Sequence, residues 1–247
     1  MKVLKCCVLS LLTVIAIMSF NINPAVAAEK TDELKVVKKN KEITDPAKLL
    51  ERAKKHILDD TDRKKSQQKN ASFSTQSVDF KNNQKTYETS QLLESKTNNK
   101  GEKIETYNFT TLAVTDGSGS YSDERWDSTH GAKAYQTVKY QKYRGSGGRI
   151  YYKLTKVSGG WKISDWHYTA SGMKVGFAAI GITESHGVIN KAQYKYPKSL
   201  TYSYSPPSWY PIAKTPAGAS KFGATAYIKL HKSGSKTWTL FLNNLMW

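Results

Sequence analysis

The chain has 247 residues, with 38 Lys+Arg against 20 Asp+Glu for a formal charge of +18, and two cysteines. A chain of this length buries an apolar core without covalent staples, and so large an excess of positive charge implies attraction to polyanions unless the lysines serve solubility alone. Arginine stands only at positions 52, 63, 125, 144 and 149. Arginine is the side chain that grips phosphate bidentately and reads bases, so a lysine-dominated charge argues for diffuse, salt-sensitive attraction and against specific nucleic-acid reading.

The first stretch, MKVLKCCVLSLLTVIAIMSFNINPAVAAEK, carries Lys2 and Lys5, an apolar run from Val8 to Phe20, and Ala25-Val26-Ala27. That pattern predicts a secretory signal peptide cleaved after Ala27. A membrane anchor is the other reading. It is opposed by Asn21, Asn23 and Pro24, which follow an apolar run shorter than the roughly 20 residues needed to span a bilayer. Cys6 and Cys7 precede the run, so lipoprotein processing is not expected, and cleavage removes both cysteines. The 220 residues left carry +16 once Lys2 and Lys5 are gone. Small secreted animal domains lean on disulfides, so a cysteine-free export product of this size fits a bacterium with a single membrane. No LPxTG motif is present, so the expectation is release into the medium or non-covalent retention on the wall.

Residues 28–72 contain no aromatic side chain, whereas all aromatics but Phe20 lie between Phe73 and Trp247. This break predicts a charged, partly helical pro- or linker segment over 28–72 and a main domain over 73–247. Within TDPAKLLERAKKHIL, Asp45 is placed to cap a helix with Pro46 at its first position. Leu49, Leu50, Ala53 and Ile57 fall on one stripe. The helix is expected either on a membrane surface or, because the stripe is narrow, lying on the main domain. Lys64-Lys65 is a candidate processing site.

From residue 85 the pattern becomes short alternating runs rich in Tyr, Val, Thr and Trp. These are IETYNFTTLAV, AKAYQTVKYQKY, RIYYKLTKV, GWKISDWHY, MKVGFAAIGIT, KSLTYSYS, GATAYIKLHK and TWTLFLNNLMW. RGSGG at 144–148 and SGG at 158–160 read as turns between them. About eight or nine strands are expected in an all-β, antiparallel β-sandwich, with a closed barrel as the alternative. In the stretch from 194 to 205, Tyr194, Tyr196, Leu200, Tyr202 and Tyr204 share one parity, which predicts an aromatic face packed inward.

Pro206-Pro207-Ser208-Trp209-Tyr210-Pro211 is barred from a central strand by its prolines. Its Trp209 and Tyr210 suit a lipid interface or a sugar face, or else Trp209 plugs the sandwich. From Tyr168 onward there are nine lysines, one acid and no arginine. The candidate envelope-binding residues are therefore Lys195, Lys198, Trp209, Tyr210, Lys214, Lys221, Lys232 and Lys236. Their expected partners are anionic cell-wall polymers or an anionic lipid membrane.

Catalytic signals are weak. Asp127-x-x-His130, Asp165-x-His167 and Glu184-x-His186 pair acids with imidazoles, yet no standard zinc spacing is present. DGSGSYSDERWD (116–127) lacks the ligand pattern of an EF-hand and reads as an inter-strand loop. No G-x-S-x-G motif occurs, and acids for a glycosidase pair are scarce. No enzyme activity and no cofactor are expected, a cryptic wall or polysaccharide hydrolase being the remote alternative.

The segments WDSTHGAKAY, YYKLTKVSGGWKISD, GATAYIKL and WTLFLNNLMW resemble those of cysteine-free secreted proteins of Gram-positive bacteria that include geobacillin-type large unmodified bacteriocins. The resemblance covers about residues 85–247. It implies export, a stable folded domain, toxicity toward related bacteria and, with that, an immunity protein in the producer. The sequence expectation is a secreted cationic antibacterial protein acting on the Gram-positive envelope, with a non-toxic wall- or matrix-binding sandwich as the alternative.

Overall fold

The computed structural model describes residues 33–62, 84–115, 131–215, 220–234 and 237–247. The expected signal peptide, Lys64-Lys65, the 116–127 loop, His130 and Lys236 lie outside them. The described residues form β1 (Lys35–Lys39), α1 (Pro46–Lys54), β2 (Lys85–Thr97), β3 (Lys103–Thr115), β4 (Ala132–Arg144) and β5 (Ile150–Ile163). They continue with β6 (Tyr168–Ile182), β7 (Val188–Lys195), β8 (Thr201–Tyr204), β9 (Lys221–Lys232) and β10 (Thr237–Leu245).

The strands build two antiparallel sheets, one in the order β1-β2-β3-β4-β5-β8 and one in the order β10-β9-β6-β7. The described residues thus form an all-β sandwich, with nine strands (β2–β10) in 73–247, matching the eight or nine that the sequence pattern counts there, and β1 added from the N-terminal segment. Alternation decides which side chains enter the layer between the sheets. Phe109 on β3 and Val138 on β4 are opposite each other and buried, as are Phe177 and Ala224 on β6 and β9. Inside this layer the Asn244 amide of β10 donates to the backbone carbonyls of Phe109 (3.2 Å) and Gln136 (2.7 Å), pinning one sheet to the other.

The SGG tripeptide does not turn the chain. Ser158, Gly159 and Gly160 sit inside the single strand β5, which joins two runs that the sequence pattern separated. The glycines are there for close approach. A Cβ on Gly159 would lie 2.5 Å from the Tyr202 hydroxyl and also collide with the backbone carbonyl of Tyr135. The Tyr202 ring uses this space to reach Gln136, whose Nε2 donates to its hydroxyl at 3.1 Å, and packs beside Trp161.

The tyrosine parity of 194–205 divides between two strands. Tyr202 is buried and Tyr204 partly so, whereas Tyr194, Tyr196 and Leu200 are exposed. The reason is that Pro197 follows the end of β7 at Lys195, after which the chain crosses to the other sheet as β8. Within β7, Tyr194 stands opposite Gly176, whose neighbours Val175 and Phe177 take the inward positions, so its ring faces outward.

Residues 33–62 belong to the same compact unit as the rest of the described chain. β1 pairs with β2. Asp45 accepts a hydrogen bond from the Ala47 backbone N–H (2.9 Å) and starts α1, with Pro46 behind it. Leu49, Leu50 and Ala53 are buried with Leu112 on the outer face of β3, while Ile57 remains exposed. The helix lies on the sheet, and Leu58 then forms a parallel bridge to Ser90 at the sheet margin.

Replacing Gly159 by alanine is expected to cost about 1–3 kcal/mol, because the new methyl meets strand backbone and a buried ring that have nowhere to move. A urea midpoint unchanged in Gly159→Ala would contradict that packing account.

Candidate functional site

The most exposed large aromatic among the described residues is Trp166, at 85 % exposure, in the turn between β5 and β6. Asp165 shapes this turn as an aspartate commonly does, accepting from a backbone N–H two residues on. Its carboxylate takes the His167 N–H at 3.0 Å and meets His167 Nδ1 at 2.7 Å. These two hydrogen bonds, the backbone one first, hold the Asp165 carboxyl below the usual aspartate range. The Trp166 ring stacks on the His167 ring at 3.7 Å, and Lys232 lies over Tyr168 at 5.2 Å. A flat amphipathic ring is thereby held outward beside a cation. Reading 160–168 as one strand concealed this turn; the tripeptide Ser164-Asp165-Trp166 was the available signal.

A second exposed group lies on β7 and the turn after it. Tyr194 and Tyr196 are 60 % and 69 % exposed. Tyr194 lies across Gly176, where a Cβ would be 2.9 Å from its ring, and Lys174 sits over the ring at 4.0 Å. Lys195 and Lys198 are exposed on the same segment.

Trp209 corrects the sequence expectation, because it is not a surface residue. It is 9 % exposed and packs against Phe177 at 5.7 Å within the core. The loop that carries it is stitched to both sheets, Ile212 bridging Tyr152 of β5 and Ala213 bridging Ile182 of β6. Trp209 is therefore the plug of the sandwich side. Its neighbour Tyr210 points out at 49 % exposure and stacks on His186 at 3.9 Å.

The expected lysines do not converge on one spot. Lys214 is exposed beside the bridge to Ile182, and Lys221 is exposed opposite Ile180. Lys232 stands at the other end of β9, opposite Tyr168 and near the Trp166 turn. At a rise of about 3.3 Å per residue, the length of β9 separates Lys221 from Lys232 by roughly 36 Å. The arrangement is a distributed cationic surface with aromatic residues at its margins.

Paired carboxylates occur at the end of the sandwich away from Trp166. Asp60 is fully buried and accepts from the Tyr140 hydroxyl (2.5 Å) and from Lys142 Nζ (2.8 Å). Lys142 also binds Asp62 at 2.9 Å and lies over the Tyr107 ring at 5.3 Å. Burial alone would lower the Lys142 ammonium, but the hydrogen bonds and charges of Asp60 and Asp62 prevail and hold it above the usual lysine range. Both carboxylates are engaged with one lysine, so this cluster fastens residues 59–62 to β4. Sequence reading missed it because Asp60 and Lys142 are 82 residues apart.

Among the described residues no three His, Cys, Asp or Glu side chains group as metal ligands. Glu184 binds Ser146 through its backbone N–H (2.9 Å), and His186 meets the Ser185 hydroxyl at 2.8 Å. No helix among the described residues is long and apolar enough to cross a membrane. The fold and surface define a lysine-rich antiparallel sandwich with outward aromatics. The chain matches no protein-family model, no curated protein and no solved structure.

Removing the Lys142 ammonium leaves a buried carboxylate without its counterion, so Lys142→Met is expected to cost about 3–5 kcal/mol. Combining it with Asp60→Asn should recover much of that loss, which a double-mutant cycle by urea unfolding would measure. A group whose pKa is raised on folding contributes stability that is complete below its unfolded value and lost above it. Unfolding midpoints should therefore fall as pH rises beyond the ordinary lysine value of 10.5. This decline should be shallower in the double variant, where the buried tyrosines Tyr107 and Tyr202, whose hydroxyl pKa values are raised by burial, still contribute to it.

Proposed function

We propose that the protein is a secreted cationic sandwich that docks on the anionic envelope of Gram-positive bacteria and acts there as an antibacterial agent. Lysines supply long-range attraction, and exposed aromatic rings make the short-range contact. The observation that carries this reading is the outward Trp166 held against His167, in a turn whose next residue, Tyr168, lies under Lys232, since amphipathic rings near cations favour the lipid headgroup region. Tyr194 and Tyr196, with Lys174 and Lys195 around them, offer a second contact of the same kind. The core residues are already consumed by the sandwich, so the contact is peripheral: the folded domain rests on the surface and inserts only rings at its margin.

Binding should weaken steeply between about 0.05 M and about 0.5 M salt, because exposed charges are screened beyond a Debye length. Trp166→Ala should bind anionic vesicles about tenfold more weakly, on the order of 1–2 kcal/mol of lost apolar contact. Trp209→Ala, by contrast, should reduce stability. Co-sedimentation with anionic and neutral vesicles, together with dye leakage and growth inhibition of Gram-positive strains, tests the proposal. Binding without leakage or inhibition would leave an adhesive wall-binding protein, and absence of binding at low salt would remove the reading altogether.

A further inference from the structure

On the outer face of the six-stranded sheet, the segment leading into α1 stands beside β4, β5 and β8. It leaves an open cavity of about 420 Å³, within the roughly 300–1,000 Å³ of small-ligand pockets. Its lining includes Glu42, Asn108, Tyr135, Thr137, Ser158 and Ser203. The register explains why hydroxyls gather there. Ser158 is directly opposite Ser203 across the β5–β8 pair, and both project away from the core that their neighbours Gly159 and Tyr202 occupy. Gly160 keeps the same face low, a Cβ there approaching the Tyr135 ring at 3.1 Å.

Two features define what this cavity takes. First, no lysine or arginine lines it, although the chain carries 38 of them, and Glu42 adds a carboxylate. That carboxylate is already shared between Asn108 and Lys139, whose Nζ lies 3.6 Å from it outside the lining, so the wall is charge-balanced and holds no cation for a phosphate or carboxylate ligand. Second, Asn108 is 2 % exposed and spends its Nδ2 on Glu42 Oε1 at 2.7 Å, which fixes the one acid of the wall in place. Hydroxyls on the wall, a neutralised acid and a partly apolar tyrosine ring match a compact ligand with many hydroxyls and no negative charge.

We infer that this groove is a binding site for one neutral pyranose unit of a saccharide. Ser158, Ser203 and Thr137 exchange hydrogen bonds with its hydroxyls, and Tyr135 offers its ring. The site is separate from the lysine surface proposed above and stands without it, because its binding is carried by uncharged contacts that salt hardly screens.

Calorimetric titration of the purified protein with neutral oligosaccharides of glucose, mannose and N-acetylglucosamine, at low and high salt, tests the inference. One of these classes should bind saturably with little salt dependence. Ser203→Trp, at an exposed strand position, should abolish binding while thermal unfolding stays unchanged. Ser203→Ala should weaken it about two- to tenfold, the loss of one hydrogen bond. Should Ser203→Trp unfold early, NMR titration of the unsubstituted protein locates the ligand, with amide shifts expected at Tyr135, Ser158 and Ser203. The inference is overturned if no neutral saccharide binds, if the shifts or the variants place binding elsewhere, or if a phosphorylated sugar binds better than its neutral counterpart.

Discussion

The structure depends on one constraint: two sheets must share a single apolar layer, so every long strand has to alternate inward and outward along its length. Sheets packed about 10 Å apart leave room for the side chains of one face each and exclude unpaired charge. Tyr140, Phe109, Ile228 and Leu240 fill that layer, and the alternate positions must face outward. In a chain with 38 basic residues this alternation distributes lysine over both outer faces. The cationic surface is thus a consequence of the fold acting on composition, which explains why it is spread out and does not form one patch.

Lys142 is the instructive exception. Its parity points it into the layer, and it is tolerated because Asp60 and Asp62 arrive from the N-terminal segment to meet it. The same contact explains why a segment without aromatics, and with composition typical of a solvated leader, packs as part of the domain. α1 buries three side chains on the outside of the sheet, the chain rounds the margin at Leu58, and Asp60 enters from the open end. A buried ion pair of this kind gives little net stability over an apolar replacement but penalises its own disruption strongly. It therefore fixes where residues 59–62 lie more than it adds to the total.

Much of the fold was legible because it rests on local pattern. The period-two runs of β3, β4, β9 and β10, and the Asp45-Pro46 helix start, are written in consecutive residues. What was illegible involves partners far apart in the chain. Gly159 and Gly160 look like a turn until Tyr202 and Tyr135 are known to need their space. The site was less legible still. Trp209 and Trp166 are both tryptophans near turn residues, and local sequence favoured the proline-rich loop for exposure. The bridges of Ile212 and Ala213 reverse that order by tying the loop down, whereas the Asp165 turn is tied only at its flanks, Ser164 to Gly131 and His167 to Ser233, and presents the Trp166 ring to solvent.

The same logic bears on how such a molecule engages a surface. Its apolar layer is closed by the Trp209 plug on one side and crossed by the Asn244 hydrogen bonds within, so releasing core strands into a bilayer would expose paired backbone and break inter-sheet contacts. Contact through rim residues requires neither. Tyr194 held between Gly176 and Lys174, and Trp166 stacked on His167, are already fixed in the folded state. Little conformational entropy remains to be lost when they dock, and preorganised rings of this kind convert a weak electrostatic encounter into a bound state without unfolding. The rigidity of the sandwich is therefore compatible with the surface action proposed above, which asks no strand to leave its sheet.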